Sequence, residues 1–139
     1  MKTFNSIHQQ AVDLITWGLL SELNFKRLLK EIDTDKIYNV IYEFLKGKIE
    51  SKELTVGDID EIRNNISQKA RILFNRIGED WNRGDDGCDD IATAAVALGK
   101  RNYEKCLKDH DYLVSMRRIT KEYENVLYPF NKIINEYCE

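Results

Sequence analysis

The 139-residue chain contains one proline and seven glycines. So little of either excludes collagen-like, linker-rich and many-turned β architectures. Its three cysteines, Cys88, Cys106 and Cys138, are odd in number, and no Cys-x-x-Cys occurs. That pattern suits neither a disulfide framework nor a zinc site built on cysteine pairs, and reduced thiols are the expectation. The longest stretch free of charge is ten residues, Thr3 to Val12, and it includes Asn, Ser, His and two Gln. A membrane span needs about 20 mostly apolar residues, so none is expected. Lys2 ahead of Leu14–Leu20 has the faint outline of a secretory leader. Asp13 interrupts it, however, and no small-x-small cleavage pattern follows. The expected compartment is the cytoplasm.

What is present is helical. Apolar residues make up 42% of the chain, enough to bury one core at this length and too many for a disordered tail. Ile7, Ala11, Leu14, Ile15, Gly18 and Leu19 follow the three-then-four spacing of an amphipathic helix. Ser21 or Asn24 breaks it before a continuation bearing Phe25, Leu28, Leu29 and Ile32. Thr34 is the expected N-cap of a helix whose inner face reads Ile37, Val40, Ile41, Phe44 and Leu45. Thr55-Val-Gly-Asp58 has the form of a capping box. Beyond it Ile59, Ile62, Ile66, Ala70, Leu73 and Ile77 share one stripe, with Gly78 as the expected C-terminal cap. A polar loop, Glu79–Cys88, then leads to Asp89 or Asp90 as the cap of Ile91–Leu98, where four alanines suggest close helix approach. Helical spacing resumes from Lys100, and Pro129 either kinks a helix or occupies the first turn of the last one. The expectation is an all-α, single-domain bundle of five to seven helices over residues 1–139.

Few constellations offer chemistry. His8 lies beside Ile7 and two glutamines, and His110 lies between Asp109 and Asp111. A metal-phosphohydrolase shell needs further histidine upstream and a later aspartate, but no histidine lies between residues 9 and 109 and no aspartate follows Asp111. No Glu-x-x-His is present for a helical di-iron site. Glu50 and Glu53, with Asp86 and Asp89, formally match the paired acids of a magnesium-dependent all-α nucleotide hydrolase, which is one alternative reading. The EF-hand register fails, because Asp85 falls where the turn glycine belongs and Ile91 where the bidentate glutamate belongs. No phosphate-cradling glycine loop occurs. No cofactor, no metal and no catalytic set is expected.

Charge is the most uneven property of the chain. The net charge is −3, and between Glu79 and Asp90 six acids face one base, Arg83. The rest of the chain is therefore slightly basic, and the whole-chain balance speaks against nucleic acid as a direct partner. Six acids around an aromatic combine attraction for a basic partner with an anchor of the kind found in binding hot spots. The candidate partner-binding residues are Glu79, Asp80, Trp81, Asp85, Asp86, Asp89 and Asp90. Trp81 tucked into the core is the other reading of that side chain, and the tyrosine-bearing helix faces (Tyr38, Tyr42, Tyr123, Tyr128) are a second possible interface.

In size, acidity and helical character the chain resembles the small immunity proteins of bacterial toxin–immunity systems, including contact-dependent inhibition systems. The resemblance covers the whole chain and rests on Glu79–Asp90 without a diagnostic motif. It implies a non-enzymatic protein that binds and neutralises a cognate toxin domain, a basic nuclease in many such pairs. A helical regulatory or adaptor module is the remaining alternative.

Overall fold

The computed structural model describes residues 4–77, 81, 85–121 and 123–137, without the side chains of residues 4, 5, 85 and 86. Every regular element among them is helical: α1 (Phe4–Leu23), α2 (Phe25–Glu31), α3 (Thr34–Glu50), α4 (Val56–Ile77), α5 (Asp85–Ala97), α6 (Lys100–Lys108), α7 (His110–Ile119) and α8 (Leu127–Tyr137). Asn24, in the left-handed region at φ 53°, interrupts α1 and α2; asparagine visits that region at little cost. With α1 and α2 counted as one interrupted helix, the described residues form seven. No helix among the described residues is long and apolar enough to cross a membrane.

Local chemistry places the boundaries. At the start of α4 the Thr55 N–H donates to Asp58 Oδ2 at 3.0 Å and the Asp58 N–H donates to Thr55 Oγ1 at 3.1 Å. This is the reciprocal capping box, which satisfies two otherwise orphaned donors. Asp109 caps α7 by accepting from the Tyr112 N–H at 3.1 Å. Pro129 lies in the first turn of α8, where its missing N–H costs nothing. Gly99, at φ 111°, turns the chain between α5 and α6. Two expected caps shift. Asp33, not Thr34, occupies the N-cap of α3, with its backbone carbonyl accepting from Lys36. α5 begins at Asp85, so Asp89 and Asp90 lie inside it and the polar connection is shorter than Glu79–Cys88. Acids are favoured in a helix's first turns by its dipole, which is why this run joins the helix. Gly78 lies outside the described residues.

α4 is the spine. Ile59, Ile62, Ile66, Ala70, Leu73 and Ile77 are all buried, and α4 packs most extensively on α5, then on α8 and α1. Every residue from Ile91 to Ala97 of α5 is buried, the small side chains admitting α4, α6 and α7 closely on several sides. Buried apolar side chains from all eight helices join in one cluster. α3 docks on α8, where the Tyr42 hydroxyl donates to Glu136 Oε2 at 2.5 Å and the Lys132 ammonium lies 4.4 Å from the Tyr42 ring centroid.

α1 departs from expectation. The stripe Ile7, Ala11, Leu14, Ile15 and Gly18 faces solvent, with Leu14 77% exposed. The buried positions are Val12, Thr16, Leu19, Leu20 and Leu23. A polar lock sets this rotation. Asp13 Oδ1 accepts from Gln9, Asn65 and Lys69 at 2.9, 2.9 and 3.0 Å. Asn65, 3% exposed, also donates to Thr16 Oγ1 at 2.9 Å. Turning the apolar stripe inward would expose Val12 and Leu19 and strand these groups without partners, at a cost of about 1–3 kcal/mol for each buried polar group.

Candidate functional site

The acid-rich segment rests on the buried core at Trp81. Its indole is fully buried, and its Nε1–H donates to the Leu113 carbonyl at 3.1 Å. Arg117 of α7 donates in turn to the Trp81 carbonyl at 3.1 Å. This corrects the reading of Trp81 as a surface anchor: a side chain with no accessible area cannot touch a partner, and it serves instead as the foundation of the segment. Its position, four residues beyond Ile77, continues the spacing of the α4 stripe.

Among the acids, Asp89 and Asp90 are half-buried in the second turn of α5, and Asp89 Oδ2 accepts from Asn125 Nδ2 at 3.1 Å. Thr93 Oγ1 donates back to the carbonyls of Asp89 and Asp90, both at 3.0 Å. Asp85 and Asp86 start the helix, and their side chains lie outside the described residues, as do Glu79 and Asp80 altogether. Four acids in two turns are thus carried by a helix whose remaining length is core.

The four residues of the hydrolase alternative lie on chain segments at opposite ends of α4. Glu50 and Glu53 precede the N-terminus of α4, whereas Asp86 and Asp89 follow its C-terminus on the antiparallel α5. A 22-residue helix such as α4 is about 33 Å long. Glu53 instead pairs with Lys48 at 2.7 Å, and Lys48 also pairs with Glu22. The hydrogen bond from Lys48 holds the Glu53 carboxyl below its ordinary value, and those to Glu22 and Glu53 raise Lys48. No group of three or more His, Cys, Asp or Glu among the described residues is arranged to hold a metal ion. His8 is exposed, 3.6 Å from Glu61. Cys88 and Cys106 are buried and not joined to each other by a disulfide, and burial pushes the Cys106 thiol up to about 11, against a smaller opposing pull from Lys105. The tyrosine-bearing faces are partly committed: Tyr123 is buried against Phe25 and Tyr42 is engaged by α8, leaving Tyr128 exposed.

A second surface, absent from the sequence reading, surrounds α1. Two open clefts flank its exposed stripe. One, of about 520 Å³, lies between α1 and the α5–α6 turn and has Leu14, Trp17 and Leu98 in its walls and Lys26, Lys100 and Arg101 on its rim. The other, of about 270 Å³, lies beside Ile15 and the Glu22–Lys48–Glu53 pairs.

Comparison with protein-family models, with curated proteins and with solved structures finds no match.

Proposed function

We propose that this chain is a non-enzymatic binding protein of the toxin-immunity kind, which neutralises a basic toxin domain through the acid-rich start of α5. The observation that carries the reading is the mounting of that segment. Asp85, Asp86, Asp89 and Asp90 occupy the first two turns of a helix that is buried from Ile91 onward, and Trp81 is fixed from both sides by α7. A preorganised anionic surface steers a cationic partner and loses little freedom on binding. Placement of the four hydrolase residues on segments at opposite ends of α4 weighs against that alternative.

The test is kinetic. Affinity capture identifies the partner, and growth rescue on co-expression establishes neutralisation. Stopped-flow association is then measured at low and high salt for the wild type and for Asp85→Asn/Asp86→Asn. The variant should associate more slowly and with a flatter salt dependence, because steering between charges is screened over about 10 Å at 0.1 M salt. Unchanged rates at low salt would remove α5 from the interface.

A further inference from the structure

The cleft between α1 and the α5–α6 turn combines two features that soluble surfaces rarely leave together. Leu14 is 77% exposed, and Ile7 is 55% exposed two turns earlier on the same face. Between and beyond them stand Ala11 and Gly18, both exposed, so large and small residues alternate at 7, 11, 14 and 18. That is the spacing at which a facing helix seats its knobs and receives those of α1. Over these positions the face runs about 16 Å, three turns of helix. Along the cleft rim Lys26, Lys100 and Arg101 are exposed, and no acid among the described residues lines it. Among the described residues none of the three side chains makes an ion pair or a hydrogen bond, although other surface cations of this chain do. Lys100 and Arg101 also stand in the first turn of α6, where the helix dipole opposes positive charge. An apolar helical seam bordered by uncompensated cations is complementary to one kind of surface.

We infer that the outer face of α1 and the cleft beside it form a second docking site, whose occupant is an acidic amphipathic helix of a protein partner. Its apolar stripe lies on Ile7, Leu14 and Trp17, and its flanking carboxylates meet Lys26, Lys100 and Arg101. A second copy of this chain is a poorer occupant. Arranged antiparallel, it would bring residues 7–11 of α1, which hold no carboxylate, against the rim; arranged parallel, it would bring like charges together. The site is separate from the acid-rich start of α5 and does not depend on that segment's role.

The probe is a synthetic, fluorescently labelled helical peptide of about five turns, with leucines at alternating three- and four-residue spacing and glutamates on both flanks. A control peptide has lysines in place of the glutamates. Fluorescence anisotropy should give saturable binding of the glutamate peptide that weakens with salt, and none of the lysine peptide. Leu14→Ser, at an exposed position that leaves the fold intact, should weaken binding about tenfold or more, the equivalent of one buried leucine. The triple reversal Lys26→Glu/Lys100→Glu/Arg101→Glu should exchange the preference, so that the lysine peptide now binds. Equal affinity for both peptides, or no binding of the glutamate peptide at millimolar concentration, overturns the inference. So does a concentration-dependent dimer in sedimentation equilibrium that Leu14→Ser abolishes, which would make the occupant a second copy. Co-flotation with vesicles of phosphatidylcholine and phosphatidylglycerol, lost in the same variant, would make it a lipid surface.

Discussion

Truncating Trp81 separates the two readings of its segment. If Trp81 is a surface anchor, Trp81→Ala behaves like other exposed substitutions and changes stability by no more than about 0.5 kcal/mol. The fold places it elsewhere: fully buried, its indole N–H on the Leu113 carbonyl and its own carbonyl on Arg117. Removing a buried tryptophan side chain costs about 3–5 kcal/mol in transfer and cavity terms. That is a large share of a total stability of about 5–15 kcal/mol. Trp81→Phe keeps most of the ring but deletes the donor to Leu113, and should cost about 1–3 kcal/mol. With a urea m-value of about 2 kcal/mol/M, the midpoint should fall by about 2 M for alanine and by about 1 M for phenylalanine. Far-ultraviolet circular dichroism is the readout, since the helical signal of the bundle reports unfolding whether or not residue 81 is an indole. A Trp81→Ala midpoint within error of the parent would refute the placement of this side chain, and with it the account of how the acid-rich segment is mounted.

Three further substitutions test other parts of the fold. Burial alone would raise the Asp13 carboxyl, but hydrogen bonds from Asn65, Lys69 and Gln9 and the Lys69 charge together hold it below 3.8. Because its folded value is the lower one, the stability it contributes is complete above about pH 4 and is lost as pH falls through the folded value; Asp13→Asn should flatten that acid decline in urea midpoints measured from pH 7 down to pH 2. At Gly99 no atom would meet an added Cβ, but φ is +111° with an extended ψ of 174°. Gly99→Ala should therefore cost about 1–3 kcal/mol by backbone strain alone, and a neutral result in thermal melts would show that the turn relaxes. The Thr120 hydroxyl is fully buried with no hydrogen-bond partner among the described residues, so Thr120→Val should raise the urea midpoint by an amount equivalent to about 1 kcal/mol or more, and a fall would mean that the hydroxyl is satisfied.

What could be read from the sequence was what depends on local spacing. The six-residue stripe of α4, the Thr55–Asp58 box and the close-packed alanines of α5 are each decided within a few turns, and all three are realised. α1 was misread because periodicity identifies an apolar face without saying what covers it. Thr16 and Asp13 are the residues that decide its rotation, and their partner Asn65 lies 49 and 52 positions away from them on α4. A signal was present there, since Asn65 adjoins Ile66 and follows Ile62 by three, a polar residue set within the most apolar stripe of the chain. The extent of the acidic loop was misjudged for a related reason: acids in a first turn stabilise a helix as readily as they solvate a connection, and nothing local distinguishes Asp85 in one state from Asp85 in the other. The rim formed by Lys26, Lys100 and Arg101 joins residues about 75 positions apart, which composition and spacing alone do not connect.

α5 relates the two charged regions. Its 13 residues measure about 20 Å. The acids Asp85, Asp86, Asp89 and Asp90 occupy its N-terminal turns, and Lys100 and Arg101 follow its C-terminus. Both placements match the dipole of α5, positive at its start and negative at its end, so that helix favours a charge separation that α6, taken alone, opposes. The middle of α5 is buried and packed on α4, α6 and α7, which makes it a stiff spacer. A Debye length of about 10 Å at 0.1 M salt is half that spacing, so charges at one end exert little force at the other. A basic surface and an acidic helix can therefore bind at the two ends without competing electrostatically, whether they belong to one partner or to two. A single partner using both ends would need its basic patch and its acidic helix about 20 Å apart, and that geometric demand selects among partners of equal net charge.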